Sequence, residues 1–206
     1  VDSNGDRVVK LPAGGGPQVV WTTGLNAPLG IAVDSAGDVF VADTNNNRIV
    51  RIPAAGGTPT VVPFTGLQSP TGLTVDGAGN VYVADEGNNR VVKRIAANGT
   101  QVTLPFTNIV GPWDVAVDGD GSVVVSTPGG GGIHELPGGG GLQRDVDTGL
   151  VTPFGLVIDR DGSLIVANGS EEVAQVPRNG GGWAPLAFTG LQGSYGLAMD
   201  AAGTVY

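Results

Sequence analysis

Five pentads of one pattern, GIAVD, GLTVD, DVAVD, GLVID and GLAMD, begin at Gly30, Gly72, Asp114, Gly155 and Gly196. Successive starts are 42, 42, 41 and 41 residues apart. A period of that length belongs to β-propellers of four-stranded blades or to solenoids. Each repeat is too small to bury its own apolar surface and needs neighbours on both sides.

The second full repeat shows the strands. Gly72–Asp76 is a short strand a, and Gly77-Ala78-Gly79 turns the chain, with glycine supplying a positive φ. Asn80–Ala84 is strand b, and Asp85–Asn89 is a polar loop. Arg90–Ile95 alternates with period two as strand c, and Thr100–Phe106 is strand d. Short turns throughout imply an antiparallel meander. The expectation is an all-β chain, a β-propeller of four-stranded antiparallel blades, forming a single domain over residues 1–206 with five repeats of about 41–42 residues. The ends suggest how the ring shuts. Val1–Arg7 matches Ala42–Arg48, and Val205-Tyr206 matches Val39-Phe40. One blade would take strands a and b from the C-terminus and c and d from the N-terminus. The alternative is a larger ring.

Composition narrows the function classes. With 37 Gly and 14 Pro the chain is turn-rich, and its periodic Val, Ile and Leu pairs mark strands rather than low complexity. A net charge of −9 opposes nucleic-acid binding, which rests on Lys and Arg neutralising phosphates. No run of 18 apolar residues is present, so no membrane insertion by this chain is expected. The chain opens inside a repeat without a charged-then-apolar leader, which predicts no signal peptide. Cysteine is absent, which removes thiolate chemistry and Cys-type zinc sites.

The string Pro-x-Gly-Ile/Leu-Ala/Thr-Val-Asp, then Gly-x-Val-Tyr/Phe-Val-Ala-Asp, then Asn-Asn-Arg-Ile/Val-Val resembles the NHL repeat. Val62–Leu67 and Ala187–Leu191 bring it closer to the extracytoplasmic sensor propeller of actinobacterial receptor serine/threonine kinases of the PknD type. Nearly the whole chain takes part in this resemblance, although that group is six-bladed and this chain has five repeats. The resemblance implies a sensor domain, an extracytoplasmic location and a membrane-anchored parent protein. It also implies a peptide, a cell-wall fragment or another protein as ligand. No kinase motif occurs in the chain itself.

Departures from the repeat suggest the binding face. Three b–c loops carry an Asp and an Arg five residues apart: Asp2 with Arg7, Asp43 with Arg48, and Asp85 with Arg90. The constant spacing implies an Asp that organises the loop and an Arg that closes it. Two adjacent blades lack the pair, reading Ser126-Thr127-Pro128 before Gly129–Gly132, and Ala167-Asn168-Gly169-Ser170-Glu171-Glu172. The residue before each pentad also varies, as Leu29, Thr71, Trp113, Phe154 and Tyr195. All five should sit near the ring axis. Trp113, Phe154 and Tyr195 are expected to form an aromatic arc, with Asp114 replacing the repeat's glycine beside them. Packing between blades is the competing role for these rings. The candidate ligand site is Trp113, Asp114, Phe154, Tyr195, Leu29, Thr71, Ser126, Thr127 and Asn168.

Other constellations read as structure. Asp118-Gly119-Asp120-Gly121 and Asp159-Arg160-Asp161-Gly162 look like calcium-loop fragments but occupy a–b turns. Asn98-Gly99-Thr100 and Asn168-Gly169-Ser170 have the form of glycosylation sequons and are taken as turns. His134, the only histidine, precedes Glu135, but neighbours in a strand point to opposite faces and should not converge. No metal, no cofactor and no catalytic residue are expected. The expectation is a non-enzymatic binding propeller. A propeller lyase or hydrolase with a metal site, and a scaffold or oligomerisation module, are the alternatives.

Overall fold

The computed structural model describes residues 1–12, 15–130, 132–146, 149–169, 172–179, 181–191, 193–200 and 202–206. Strands β1 (Val8–Lys10) and β2 (Val19–Thr22) form a two-stranded hairpin. Four complete four-stranded sheets follow among the described residues. The first blade is β3 (Ile31–Val33), β4 (Val39–Asp43), β5 (Arg48–Ile52) and β6 (Thr60–Val62). The second is β7 (Pro70–Val75), β8 (Val81–Asp85), β9 (Arg90–Arg94) and β10 (Gln101–Thr103). The third is β11 (Val115–Val117), β12 (Val123–Thr127), β13 (Gly132–Leu136) and β14 (Arg144–Val146). The fourth is β15 (Pro153–Ile158), β16 (Leu164–Asn168), β17 (Glu172–Val176) and β18 (Ala184–Pro185). All neighbours pair antiparallel in chain order, as in propeller blades.

The second strand of each blade, such as VFVAD in β4 and VYVAD in β8, is buried at all five positions. That requires a neighbouring blade on each face. Phe40, Ala42 and Ile49 of the first blade pack on Leu73, Val81 and Val83 of the second. Tyr82 and Val91 then pack on Val115, Val123 and Val125 of the third. Val124 and Ile133 continue onto Leu156, Leu164 and Val166 of the fourth. Each fully buried aliphatic side chain contributes about 1.5–3 kcal/mol. The core is therefore a series of slabs between blades.

The a–b turn recurs in all five repeats. Its Asp accepts the amide of the glycine three residues on, and that glycine has φ of +80° to +88° at Gly37, Gly79, Gly121, Gly162 and Gly203. Only glycine occupies that conformation without strain.

The expected blade shared between the two ends has no counterpart among the strand pairings of the described residues. Met199 bridges Val205, and β1 pairs with β2, but no strand pairing among the described residues joins these hairpins. Ile31 of β3 is 43% exposed, whereas the matching Leu73, Val115 and Leu156 are buried, and Val33 is exposed where Val75, Val117 and Ile158 are half-buried.

Candidate functional site

The b–c loops that keep the Asp/Arg pair are built as the spacing predicts. Asp85 is fully buried; its Oδ1 accepts the Gln68 amide at 2.7 Å, and its Oδ2 accepts Arg90 Nε at 2.7 Å and Asn88 Nδ2 at 2.8 Å. Asp43 does the same with the Asn26 amide, Arg48 Nε and Asn46 Nδ2. Each carboxylate thus fastens its own loop to the incoming d–a loop. Asn47 and Asn89 reach one blade further, accepting the Ser69 and Gly111 amides.

The two divergent loops are supports as well. Asn168 takes the place of the Asp, is buried, and accepts the Thr152 amide at 3.1 Å. Thr127 is fully buried, with its hydroxyl 3.1 Å from both the Gly132 carbonyl and His134 Nε2. The other ring nitrogen of His134 lies 2.6 Å from Asp145 Oδ1. The fully buried Ser126 donates to the Phe154 carbonyl and accepts the Asp114 amide. These three side chains hold the scaffold and present no surface to a ligand. Gly131, Ser170 and Glu171 of these loops lie outside the described residues.

The residues preceding the pentads do come together. Trp113 and Phe154 have ring centroids 5.1 Å apart at 77°, and Phe154 and Tyr195 are 5.0 Å apart at 62°. Both are edge-to-face contacts, which the ring quadrupoles favour. Tyr195 is more than half exposed, whereas Trp113 and Phe154 are half-buried. Beside the ladder is a cavity of about 500 Å³ at the ring axis. Leu29, Thr71, Trp113, Asp114 and Tyr195 line it, together with Ser3, Ile31, Leu73 and Leu197. Of the candidate site residues, Phe154 reaches the cavity only through its neighbouring rings. Thr71 is buried and spends its hydroxyl on the Pro112 carbonyl at 3.1 Å. Of the wall residues missing from the candidate set, Ile31, Leu73 and Leu197 are the second residues of their pentads, one place in the repeat, whereas Ser3 comes from the N-terminal loop.

Among the described residues, Asp114 is the one carboxyl in that wall. Its Oδ1 accepts the Val115 amide at 2.9 Å, and its Oδ2 accepts the Leu156 amide at 3.0 Å. Burial outweighs these two hydrogen bonds and pushes the carboxyl up to about 7. A carboxyl so placed can donate or accept a proton near neutral pH.

His134 and Glu135 do diverge. His134 turns to Asp145, while the buried Glu135 holds Arg144 and Arg178 on the opposite side of the sheet. The Asp118 and Asp159 segments form a–b turns, with Asp118 Oδ1 accepting the Asp120 and Ser122 amides. Among the described residues, no group of three or more His, Asp or Glu side chains is placed to hold a metal ion. No helix of the described residues is long and apolar enough to cross a membrane.

Comparison with known proteins places this geometry. The family model of the NHL repeat matches residues 25–52 and 67–93. No curated protein matches the chain by sequence. Among solved structures, the propeller of a nidogen/laminin complex superposes with a TM-score of 0.83 at 19% identity, covering 95% of this chain and 80% of that one. A streptogramin B lyase superposes with a TM-score of 0.77 at 17% identity, covering 98% of this chain and 69% of that one. A putative gluconolactonase gives 0.78 at 19% identity, covering 97% and 76%. The expectation that the chain is not an enzyme is corrected by these likenesses, because the same fold carries lyases. The reason is physical: a channel site gathers residues from strands about 40 residues apart, so convergence is invisible in sequence neighbours. The repeat match and the structural likenesses together support a β-propeller of the NHL type.

Proposed function

We propose that this chain is a recognition propeller that takes its ligand at the channel mouth, on Trp113, Tyr195, Leu29 and Asp114. The edge-to-face ladder of Trp113, Phe154 and Tyr195 beside the apolar cavity carries this reading. Rings held rigid by one another lose little entropy on binding, and one carboxyl in an apolar wall orients a ligand amine or hydroxyl. The ligand class is a peptide, a cell-wall fragment or a protein surface. The resemblance of the repeat string to receptor-kinase sensor propellers supports an extracytoplasmic sensor role. The test is thermal unfolding of the wild type and Trp113→Ala against peptides and cell-wall fragments. A native-state ligand raises the midpoint in the wild type alone. A genuine ligand that stabilises both proteins equally removes the channel mouth from the reading.

A second reading is carried by Asp114. A carboxyl pushed up to about 7 in a cavity is a candidate acid or base, which suits a lyase or hydrolase of this fold. Asp114→Asn would then retain binding of a channel ligand and stop its conversion, followed by mass spectrometry. Equal conversion by the variant ends this reading.

A further inference from the structure

A second cavity lies on the opposite face, between the third and fourth blades, among the a–b and c–d turns. Its volume is about 820 Å³, within the range of small-molecule sites. It is built from departures from the repeat. Opposite Phe40 and Tyr82 in strand b stand the cations Arg51 and Lys93, but opposite Val124 stands Glu135. Across the next pairing, Arg51 faces Thr60 and Lys93 faces Val102, while Glu135 faces Arg144. After strand c, the turn amides of Ala54, Ala96 and Gly138 are bound by the a–b turn, and the matching place in the fourth blade is Arg178. These three changes meet. Glu135 is 1% exposed, accepts Arg144 Nε at 2.9 Å, and pairs with Arg178 from the neighbouring blade. Arg178 also holds Asp118 at 2.5 Å.

The charge balance selects the ligand. Both guanidiniums in the wall already face carboxylates, so an anionic ligand finds no unspent cation. A cationic ligand would gain Asp120 and Asp161 at the rim but would sit against those same guanidiniums in the wall. Asp120 and Asp161 stand exposed at the rim, each accepting one backbone amide, of Ser122 and Ser163, through Oδ1; Gln175 donates its Nε2 to Ser163 Oγ at 2.9 Å, and Trp183 supplies an indole surface. Hydroxyl groups both donate to carboxylates and accept from amide and guanidinium N–H groups, and pyranose C–H faces pack on indole. We infer that this inter-blade cavity binds a neutral saccharide of about two rings. The site is independent of the channel reading.

The test is isothermal titration of the whole 206-residue chain with cellobiose, chitobiose and maltose. Glucose 6-phosphate and glucosamine serve as the charged comparators. At least one neutral disaccharide should bind with millimolar or tighter affinity and exceed both charged sugars. Asp161→Asn should weaken that affinity about tenfold, the scale of one lost hydrogen bond. Trp183→Phe should weaken it too, and Trp113→Ala should leave it unchanged. The inference is overturned if no neutral disaccharide binds, or if glucose 6-phosphate or glucosamine binds most tightly. Affinity that survives both Asp161→Asn and Trp183→Phe also overturns it.

Discussion

Asp114 accepts the backbone amide of Leu156 at 3.0 Å, so one side chain ties the first strand of the third blade to that of the fourth. The repeat has glycine at this place in the other four pentads. Burial raises the folded-state carboxyl to about 7 from 3.8. Between those values the native state holds a proton that the unfolded chain has released. This group's contribution is therefore most favourable below about pH 4 and declines as pH rises to 7. Asp114→Asn removes the titration. The stability difference, variant minus wild type, should grow between pH 4 and pH 8 by up to about 4 kcal/mol, at 1.36 kcal/mol per unit. Urea unfolding of both proteins at pH 4, 6 and 8 measures it, and the subtraction cancels the other carboxylates.

The buried Asp85 fastens its b–c loop through three hydrogen bonds. Asp85→Ala leaves the Gln68 amide and the Arg90 guanidinium without their acceptor. Breaking a buried pair from one side costs about 3 kcal/mol. Asp2, which is partly exposed, makes the matching contact with Arg7 at 2.7 Å, and Asp2→Ala should cost far less than Asp85→Ala because solvent screens the pair. Denaturant midpoints of the two variants, at unchanged slope, check the contrast.

How far the sequence could be read follows from the kind of contact. Blade strands, a–b turns and the Asp/Arg loops depend on residues a few positions apart, and the repeat displays each several times. The aromatic ladder was also legible, because Trp113, Phe154 and Tyr195 hold one place in successive repeats. Ser126, Thr127 and Asn168 are buried against backbone, and in sequence a changed loop residue looks the same whether it meets a ligand or a neighbouring backbone. The Glu135, Arg144 and Arg178 cluster was missed for a related reason. Arg178 reaches Glu135 across 43 residues and Asp118 across 60, and no local pattern reports such pairs.

The Trp113–Phe154 contact is open to a double-mutant cycle. Edge-to-face pairs contribute about 0.5–1.5 kcal/mol beyond buried area. Trp113→Leu and Phe154→Leu should therefore cost less together than the two single changes summed, by that amount. Thermal or urea unfolding of the four proteins gives the coupling. A coupling near zero means that the rings touch without stabilising one another, and the rigid ladder behind the channel reading falls.

Glycines at the pentad starts separate blades that touch from blades that do not. A Cβ on Gly72 would lie 2.2 Å from Asp114 Oδ1 and 2.7 Å from the Trp113 carbonyl oxygen. A Cβ on Gly155 would lie 2.7 Å from the Tyr195 carbonyl oxygen. Backbone cannot yield to either, so Gly72→Ala and Gly155→Ala should each cost about 1–3 kcal/mol. A Cβ on Gly196 would meet no atom within 4 Å. Gly196→Ala should stay within about 0.5 kcal/mol of the wild type. The asymmetry follows from packing: among the described residues no strand lies beside Gly196 as β11 lies beside Gly72. Were the last hairpin and β3 in contact in solution, the alanine at 196 would strike the next backbone as those at 72 and 155 do. Equal losses for all three variants in urea unfolding would therefore report a ring shut between Gly196 and Gly30.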